Sequence, residues 1–395
     1  MASMANGSLG AKVVVGLAVV APIAVFFGEA ITGRTELAGA AAVVPVLLGA
    51  LVFWGMWPVL RRMSRLDTLR FCSGMILVQT VWVVVCVSVF FPDAVATALE
   101  SMATTSGALS LLAGISLALG DCGIALTIEQ IGIGVGPPII FTTNIVFGSS
   151  IDYALSEDKS TCRGACLGFS VCVAVVGILL NSLASAAKPP PISEAEKEGL
   201  LVDGVAGAPP AADRWRRTLE LGACVTVGIF SGGWSPLLTA ASDVSSGNDG
   251  NYLWGFYVIF QVGECLALAA LVALAALAHH APGGKARADG DGKPQALCGG
   301  NWKAALRVYG VPASTGIVIG TGFVCYFLTT SADVASSTSY ALGSCCSLVS
   351  MAYSYFVFRE YEHAPPSVVL PFKLAGACYA VAIFILALSE PVFCV

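Results

Sequence analysis

The stretch GISLALGDCGIALTIEQIGIGVGPPIIFTTNIVFGSSIDYALSED (residues 114–158) aligns without a gap on residues 316–360, at a constant shift of 202 residues. Both stretches are long and apolar and contain few charges. Similar residues recur at equivalent positions, namely Gly114/Gly316, Ile115/Ile317, Gly120/Gly322, Tyr153/Tyr355 and Asp158/Glu360. A weaker similarity relates the region around Trp57 to the region around Trp234. Internal repeats of this kind within membranes are typical of secondary transporters, in which two halves enclose one central site.

The composition independently favours a membrane protein. Hydrophobic residues make up 56% of the chain and charged residues 11%, and the mean hydropathy is +0.82, whereas soluble domains are about a quarter charged. The lipid bilayer is therefore the expected surroundings, and no nucleic-acid partner is expected. Most of the 14 cysteines lie in apolar runs and serve as small packing residues, although Cys162 and Cys166 share a short polar loop that would allow a disulfide.

Apolar runs long enough to cross a bilayer as helices, about 20 residues each, occur eleven times. They cover approximately 13–30, 38–60, 71–91, 109–129, 136–155, 166–187, 217–241, 252–278, 308–329, 334–358 and 367–389. The polar tract between the sixth and seventh runs contains three consecutive prolines and many charges, as a linker does. The sequence thus predicts four parts: an N-terminal segment (1–37), a five-helix repeat (38–187), a cytoplasmic linker (188–216) and a second five-helix repeat (217–395).

The basic residues predict the orientation, because cytoplasmic loops carry an excess of lysine and arginine. Of the 20 lysines and arginines, Lys373 falls within the last predicted helix, and only Arg34, Lys159 and Arg163 lie on one set of alternate loops. The other sixteen lie on the opposite set. The N-terminus and the linker are therefore expected in the cytoplasm and the C-terminus outside or in a lumen, in the plasma membrane in preference to an endomembrane.

The first apolar run allows two interpretations. Lys12, the run from Val13 to Phe27, and the small residues Gly28 and Ala30 around Glu29 fit either a signal anchor or a cleavable signal peptide. In both cases ten helices follow, five on each side of the linker. Because five is odd, the second repeat is expected to be inverted relative to the first.

Four segments, in their order and spacing, resemble the ureide permeases of the drug/metabolite transporter superfamily and the related glucose/ribose-type uptake carriers. They are Gly49–Pro58, Gly114–Asp121 with its continuation to Gly132, Gly228–Asp243 and Phe358–Tyr361. The resemblance implies an all-α ten-helix fold with a 5+5 inverted repeat, here with an extra N-terminal helix, and a heterocyclic substrate. The chain departs from the pattern at Asp121, where asparagine is usual, at Val324-Cys325, where Gly-Asn is expected, and at Pro137-Pro138.

Ionisable residues within the predicted spans are candidate functional groups, since a charge in lipid costs several kcal/mol, roughly 3 on insertion scales. Asp121, deep in its helix, is the candidate for binding substrate or carrying a coupling proton, with a hydrogen-bonded structural role as the alternative. Glu264 and Lys373 are further candidates for coupling, with Lys373 as a counter-ion of Asp121 or of an anionic substrate. A lysine near a helix end can equally extend to the interface.

Neutral polar and aromatic residues complete the predicted site. Asn144 and Tyr340 lie in equivalent predicted helices of the two repeats, and Tyr326 lies in the preceding helix of the second repeat. All three suit a polar ring such as a heterocycle or a sugar. Trp57 and Trp234 could stack on such a ring or anchor their helices at the interface.

We therefore expect a secondary active transporter of a small polar metabolite (a ureide, a nucleobase-like heterocycle or a sugar), working as a symporter with protons. It is expected to be no enzyme and to need no metal or cofactor, and assembly as a homodimer is left open. A non-transporting scaffold or receptor is the alternative. A remote alternative is an intramembrane aspartyl protease, for which Ala118–Asp121 and Asp152-Tyr153 are near matches.

Overall fold

A computed structural model provides the structure of the chain. It describes residues 53–64, 66–155, 161–187, 211–244, 250–280, 302–330, 346–362 and 364–388. The predicted N-terminal segment, the greater part of the linker, and Tyr340 lie outside the described residues.

Every regular element among the described residues is a helix. The helices are α1 (53–63), α2 (Thr68–Phe90), α3 (Pro92–Ser101), α4 (Thr105–Ile131), α5 (Gly136–Leu155), α6 (Thr161–Ala187), α7 (Ala211–Gly232), α8 (Trp234–Val244), α9 (Gly250–His280), α10 (Trp302–Thr330), α11 (Cys346–Ala352) and α12 (Pro366–Leu388). A π-helical turn, Tyr353–Val357, continues α11.

Seven helical segments among the described residues are long and apolar enough to cross a membrane. They are Thr68–Phe90, Thr105–Ile131, Gly164–Ala187, Trp215–Ser242, Leu253–Leu277, Tyr309–Phe327 and Pro366–Ile385, with mean hydropathies of 1.4 to 2.2. Lipid offers the backbone no hydrogen-bond partners, so helices satisfy the peptide groups of such segments internally. The architecture is that of a multi-pass, all-α membrane protein.

Helix ends follow local sequence signals. The Asp67 side chain accepts a 3.0 Å hydrogen bond from the Arg70 amide and caps α2. Gly132 ends α4 at φ 94°, a left-handed conformation that glycine adopts without steric cost. Pro92 opens α3, a short helix where the sequence predicted only a loop. The predicted span 217–241 is two helices, α7 and α8, because the chain turns at Gly233. Cys166 has a free thiol, so the disulfide with Cys162 is not formed.

Long helices pack in pairs: α12 along α6, α9 along α4, α10 along α2, and α7 along α5. Glycines allow the closest approaches. A methyl group added at Gly114 of α4 would lie 3.0 Å from the Glu264 amide nitrogen of α9, and one added at Gly316 of α10 would lie 2.8 Å from the Gln79 amide nitrogen of α2. Gly114 and Gly316 are equivalent in the sequence repeat, so the α4–α9 and α2–α10 contacts correspond to each other.

Candidate functional site

A pocket lies between helices that precede the predicted linker and helices that follow it. It holds about 450 Å³ of empty space, including its open side, and receives side chains from α1, α4, α5, α7, α8, α10 and α11. The lining residues are Trp54, Trp57, Leu117, Asp121, Ile124, Phe141, Asn144, Ser231, Trp234, Ile319, Phe323 and Cys346. Four of the residues selected from the sequence, Asp121, Asn144, Trp57 and Trp234, therefore lie in one pocket.

Ten of these twelve residues form five pairs at two constant sequence shifts. The long shift, 202 residues, relates Leu117/Ile319, Asp121/Phe323 and Asn144/Cys346, and the short shift, 177 residues, relates Trp54/Ser231 and Trp57/Trp234. The equivalent of Ile124 at the long shift is Tyr326, which packs beside the pocket. The equivalent of Phe141 is Gly343, which lies outside the described residues.

Contacts between helices follow the same two shifts. A methyl group at Gly120 would lie 2.5 Å from the Ser231 side chain, and one at the equivalent Gly322 would lie 2.7 Å from the Trp54 ring. Ser231 and Trp54 are themselves related by the short shift. The short shift thus corresponds to a recurring packing arrangement as well as to a weak similarity of sequence near Trp57.

The same relation holds on the other side of α1 and α7. A methyl group at Gly55 would lie 2.6 Å from Val349 of α11, and one at Gly232 would lie 3.2 Å from Phe147 of α5. The short shift relates Gly55 to Gly232, and the long shift relates Phe147 to Val349. The contact between α1 and α11 therefore corresponds to the contact between α7 and α5.

Asp121 supplies the only carboxyl group among the residues that line the pocket. Its side chain is 5% exposed, and Gly120 beside it lets α7 approach closely. Asn144 is buried on α5, and its Nδ2 donates a hydrogen bond to Ser231 Oγ, which orients the amide toward the pocket wall. The pocket thus offers an acid, an amide and a hydroxyl, which are groups that can exchange hydrogen bonds and a proton with a ligand.

Aromatic rings form one wall of the pocket. The Trp54 ring centroid lies 5.1 Å from that of Phe323 and 5.7 Å from that of Tyr326, and the Trp234 centroid lies 5.4 Å from that of Tyr326. Tyr326, selected from the sequence, therefore packs against both tryptophans on the side that faces away from the pocket. Further ring contacts continue through Phe327 and Trp254 to Phe91 at the end of α2. Most of these rings are buried, so they close the pocket toward the end at which α2 finishes.

A buried arginine lies at the opposite end. Arg61, one turn beyond Trp57 on α1, is 4% exposed and forms a 2.8 Å ion pair with Glu129. Its other donors bond to the carbonyls of Ala125 and Leu66 and to the Thr68 hydroxyl. Because Ala125 follows the lining residue Ile124, this cluster connects α1, α2 and α4 directly next to the pocket.

A second polar contact lies at the same end of the helices. The Glu360 carboxylate is 3.1 Å from the position a methyl group would take at Gly132 and accepts a 2.9 Å hydrogen bond from Ser354. It thereby joins the α4–α5 turn to the end of α11. Burial raises the pKa of the neighbouring Tyr361 hydroxyl above its ordinary value, and the Glu360 charge raises it further, so Tyr361 stays neutral.

Glu264 does not line the pocket. It is fully buried in α9, and its carboxyl group accepts a 2.7 Å hydrogen bond from the Gln79 side chain of α2. Gln261, one turn earlier, accepts a 3.3 Å hydrogen bond from the Thr80 hydroxyl. The α2–α9 contact is therefore a buried polar layer, separate from the pocket and next to the close approaches at Gly114 and Gly316.

Lys373, expected as a counter-ion of Asp121 or of an anionic substrate, is not among the residues that line the pocket. It is exposed on α12, and its ammonium group lies 5.1 Å from the centre of the Tyr355 ring. The physical reason is the position of α12, which packs along α6 and leaves Lys373 on its outward face. Among the described residues, no three His, Cys, Asp or Glu side chains lie close enough together to hold a metal ion.

Sequence reasoning missed Trp54, Ser231, Arg61 and Gln79. Trp54, Trp57 and Arg61 are spaced three and four residues apart, which places them on one face of a helix, and this spacing could have identified Trp54 and Arg61. Ser231 could have been found as the partner of Trp54 at the short shift. No local signal identifies Gln79, whose partner is 185 residues away.

No protein-family model matches the sequence, and no curated protein matches it at a significant level. A solved structure described only as a crystal structure of a protein aligns with a TM-score of 0.46 and 12% identity, over 87% of this chain and 97% of that chain. A similarity this low supports no conclusion about family or function.

Proposed function

We propose that this chain is a secondary active carrier that moves a small polar metabolite through the pocket around Asp121, coupled to protons. One observation carries the proposal: five pairs of lining residues are related by the long and the short shift. A pocket built from equivalent positions of two repeats is the arrangement expected of a carrier that alternates its access from one side of the membrane to the other. An enzyme site or a docking surface has no need of such pairs.

The corresponding helix contacts support a ten-helix fold with two inverted five-helix repeats. Gly120 and Gly322 meet Ser231 and Trp54, which are related by the short shift, and Gly114 and Gly316 each pack on the backbone of a neighbouring helix. A methyl group at Gly177 of α6 would lie 2.6 Å from the Tyr379 ring of α12, and these two residues are again related by the long shift. A twofold axis in the membrane plane between the repeats would produce all of these contacts. In the predicted orientation, the protein lies in the plasma membrane with its N-terminus on the cytoplasmic side.

Asp121 is assigned the coupling role. Burial destabilises the charged form of a carboxyl group unless a partner stabilises it. Proton uptake and ligand binding at Asp121 would therefore be linked. Asn144 and Ser231 would position polar edges of the ligand, and Trp57 and Trp234 would contact its ring. Glu264, separated from the pocket, is assigned a supporting role in coupling through the α2–α9 contact.

The two ends of the pocket suit the two closures that alternating access requires. Rings around Phe323 and Tyr326 close one end, and the Arg61–Glu129 cluster closes the other. Movement of the repeats past each other would open one closure while the other stays intact. Ion pairs are a suitable closure because water can solvate the separated charges on opening.

Purified protein in liposomes with an imposed pH gradient tests the proposal. The substrate panel comprises allantoin, uracil, hexoses and nucleotide sugars. Saturable, gradient-driven accumulation of one of these compounds is the expected result. The matched variants are Asp121→Asn and, as a control, Asp93→Asn, which changes an exposed acid of α3. Uptake no greater than in protein-free liposomes across the whole panel would favour the scaffold or receptor alternative.

A further inference from the structure

A second concave surface lies on the outside of the helix bundle, and none of its lining residues lines the pocket around Asp121. It is a groove of about 850 Å³, including its open side. Residues of α2 form its floor, Val272 of α9 forms one wall, and Tyr309 and Ala313 of α10 form the other. We propose that this groove binds one acyl chain of an anionic phospholipid whose phosphate contacts Arg70.

The floor of the groove is apolar along its length. Leu69, Leu77 and Val78 line it, and the Ser73 hydroxyl donates to the Leu69 carbonyl within the helix, so that it presents no unsatisfied donor. Leu77 is 54% exposed. Such a surface favours hydrocarbon over water by roughly 25 cal/mol per Å² covered.

The dimensions of the groove fit one leaflet. From Leu69 to Val78 the helix rises nine residues, which corresponds to about 14 Å. Half of a hydrocarbon core of about 30 Å is nearly the same length. At the centre of the groove, Gly74 lets Pro312 of α10 pack closely against α2, since a methyl group there would lie 2.9 Å from the Pro312 side chain, and this contact closes the groove toward the interior. A single lipid chain therefore fits the groove lengthwise.

Charge determines which lipid the groove would prefer. Arg70 lines the groove at the end of α2 that meets the headgroup region, and its side chain is 69% exposed. Asp67 accepts the Nε–H of Arg70 at 3.2 Å, which leaves the four Nη hydrogens for the oxygens of a phosphate. The Arg70 charge favours an anionic headgroup over a zwitterionic one.

Native mass spectrometry of the purified full chain tests the proposal, with phosphatidylglycerol and phosphatidylcholine of identical chains added in turn. The wild type is expected to retain phosphatidylglycerol about fivefold better than phosphatidylcholine, because this is the preference that one arginine next to an anionic headgroup provides. Arg70→Gln should reduce this preference toward equality. Arg216→Gln should preserve the preference, since Arg216 is a similarly exposed arginine that lies on α7, away from the groove, and pairs with Glu220 of the same helix.

A second pair of variants tests the chain-binding part of the groove. Ala313→Phe fills the groove and should lower retention of both lipids, whereas Val85→Phe, on an exposed part of α2 outside it, should not. Glycerol phosphate without acyl chains should not compete, because the proposal requires the groove to hold hydrocarbon. Unchanged lipid preference in Arg70→Gln, an exposed substitution that leaves the packing intact, would overturn the proposal.

Discussion

Gln79 and Glu264, 185 residues apart in the chain, are joined by a 2.7 Å hydrogen bond from the amide Nε2 to the carboxyl Oε2. Their places in the fold correspond, because Gly316 packs on the backbone at Gln79 as Gly114 packs on the backbone at Glu264. Both side chains are fully buried. Two positions with corresponding glycine contacts therefore meet in the buried α2–α9 layer, one with an amide and the other with an acid.

This correspondence predicts the effect of exchanging the two side chains. Gln79→Glu alone places two carboxyl groups together and should lower stability, and Glu264→Ala should cost about 1–3 kcal/mol, because it leaves a buried amide without its acceptor. The double exchange Gln79→Glu with Glu264→Gln restores one acid and one amide. Thermal unfolding in detergent should place the double variant closer to wild type than Gln79→Glu. A double variant less stable than Gln79→Glu would contradict the correspondence of the two positions.

Asp121→Asn should abolish accumulation driven by a pH gradient while preserving exchange of labelled for unlabelled substrate. Exchange needs the binding site and the movement of the repeats, whereas accumulation also needs a group that releases a proton. Asparagine keeps the size and polarity of the side chain but carries no titratable proton. The measurement is uptake and counterflow in the same liposomes, with Asp93→Asn as the control. Undiminished accumulation in Asp121→Asn would reduce Asp121 to a structural residue.

Seven of the eleven predicted spans coincide with long apolar helices of the described residues, because a span of lipid demands an uninterrupted apolar segment of fixed length. Asn144 could be selected because it is a polar amide in the middle of an apolar helix, and Trp234 because the repeat relates it to Trp57. Gly232 and Gly233 before Pro236 favoured a break in the helix, but glycine is also common in continuous membrane helices that pack closely, so the sequence allowed both a break and a continuous helix at Gly233. The outward position of Lys373 depends on which face of α12 meets α6, and an apolar run shows no such face.

Arg61→Met should destabilise the protein by about 1–3 kcal/mol, because the carbonyls of Ala125 and Leu66 lose a charged donor in a buried place. Glu129→Gln should cost less than about 1 kcal/mol, since the Glu129 side chain is 54% exposed and water can replace the ion pair. Thermal unfolding of the two variants measures the difference. Equal losses would show that Arg61 acts mainly through its charge on Glu129.

The same cluster predicts a change in access. If the Arg61–Glu129 pair closes one end of the pocket, Glu129→Gln should raise the rate at which a reagent supplied from that side modifies a thiol in the pocket. Glu100→Gln, an exposed acid at the opposite end of the helices, is the matched control. A rate that is the same in both variants would assign the cluster to the folding of the α1–α2 connection alone.

Orientation can be tested in the linker. The excess of basic residues predicts that Arg61, Arg62 and the linker are cytoplasmic. A protease site inserted near Pro209 should therefore be cut in inside-out vesicles and be protected in intact cells. Cutting in intact cells would require the opposite orientation or a different number of spans before the linker.

The pairing of Asn144 with Cys346 gives the most direct test of a pocket shared by two repeats. Cys346 is a native thiol at the position equivalent to Asn144. Both residues line the pocket and are buried, so a reagent can reach them only through the pocket. One variant keeps Cys346 as its only cysteine, and another carries Asn144→Cys with Cys346→Ser. A small thiol reagent should modify both, and a transported substrate should slow both reactions together, because one ligand fills the space between them. A third variant that keeps only the exposed Cys172 of α6 should react at a rate independent of substrate. Protection at one position of the pair and not at the other would mean that the ligand binds within a single repeat, and the carrier proposal would lose the observation on which it rests.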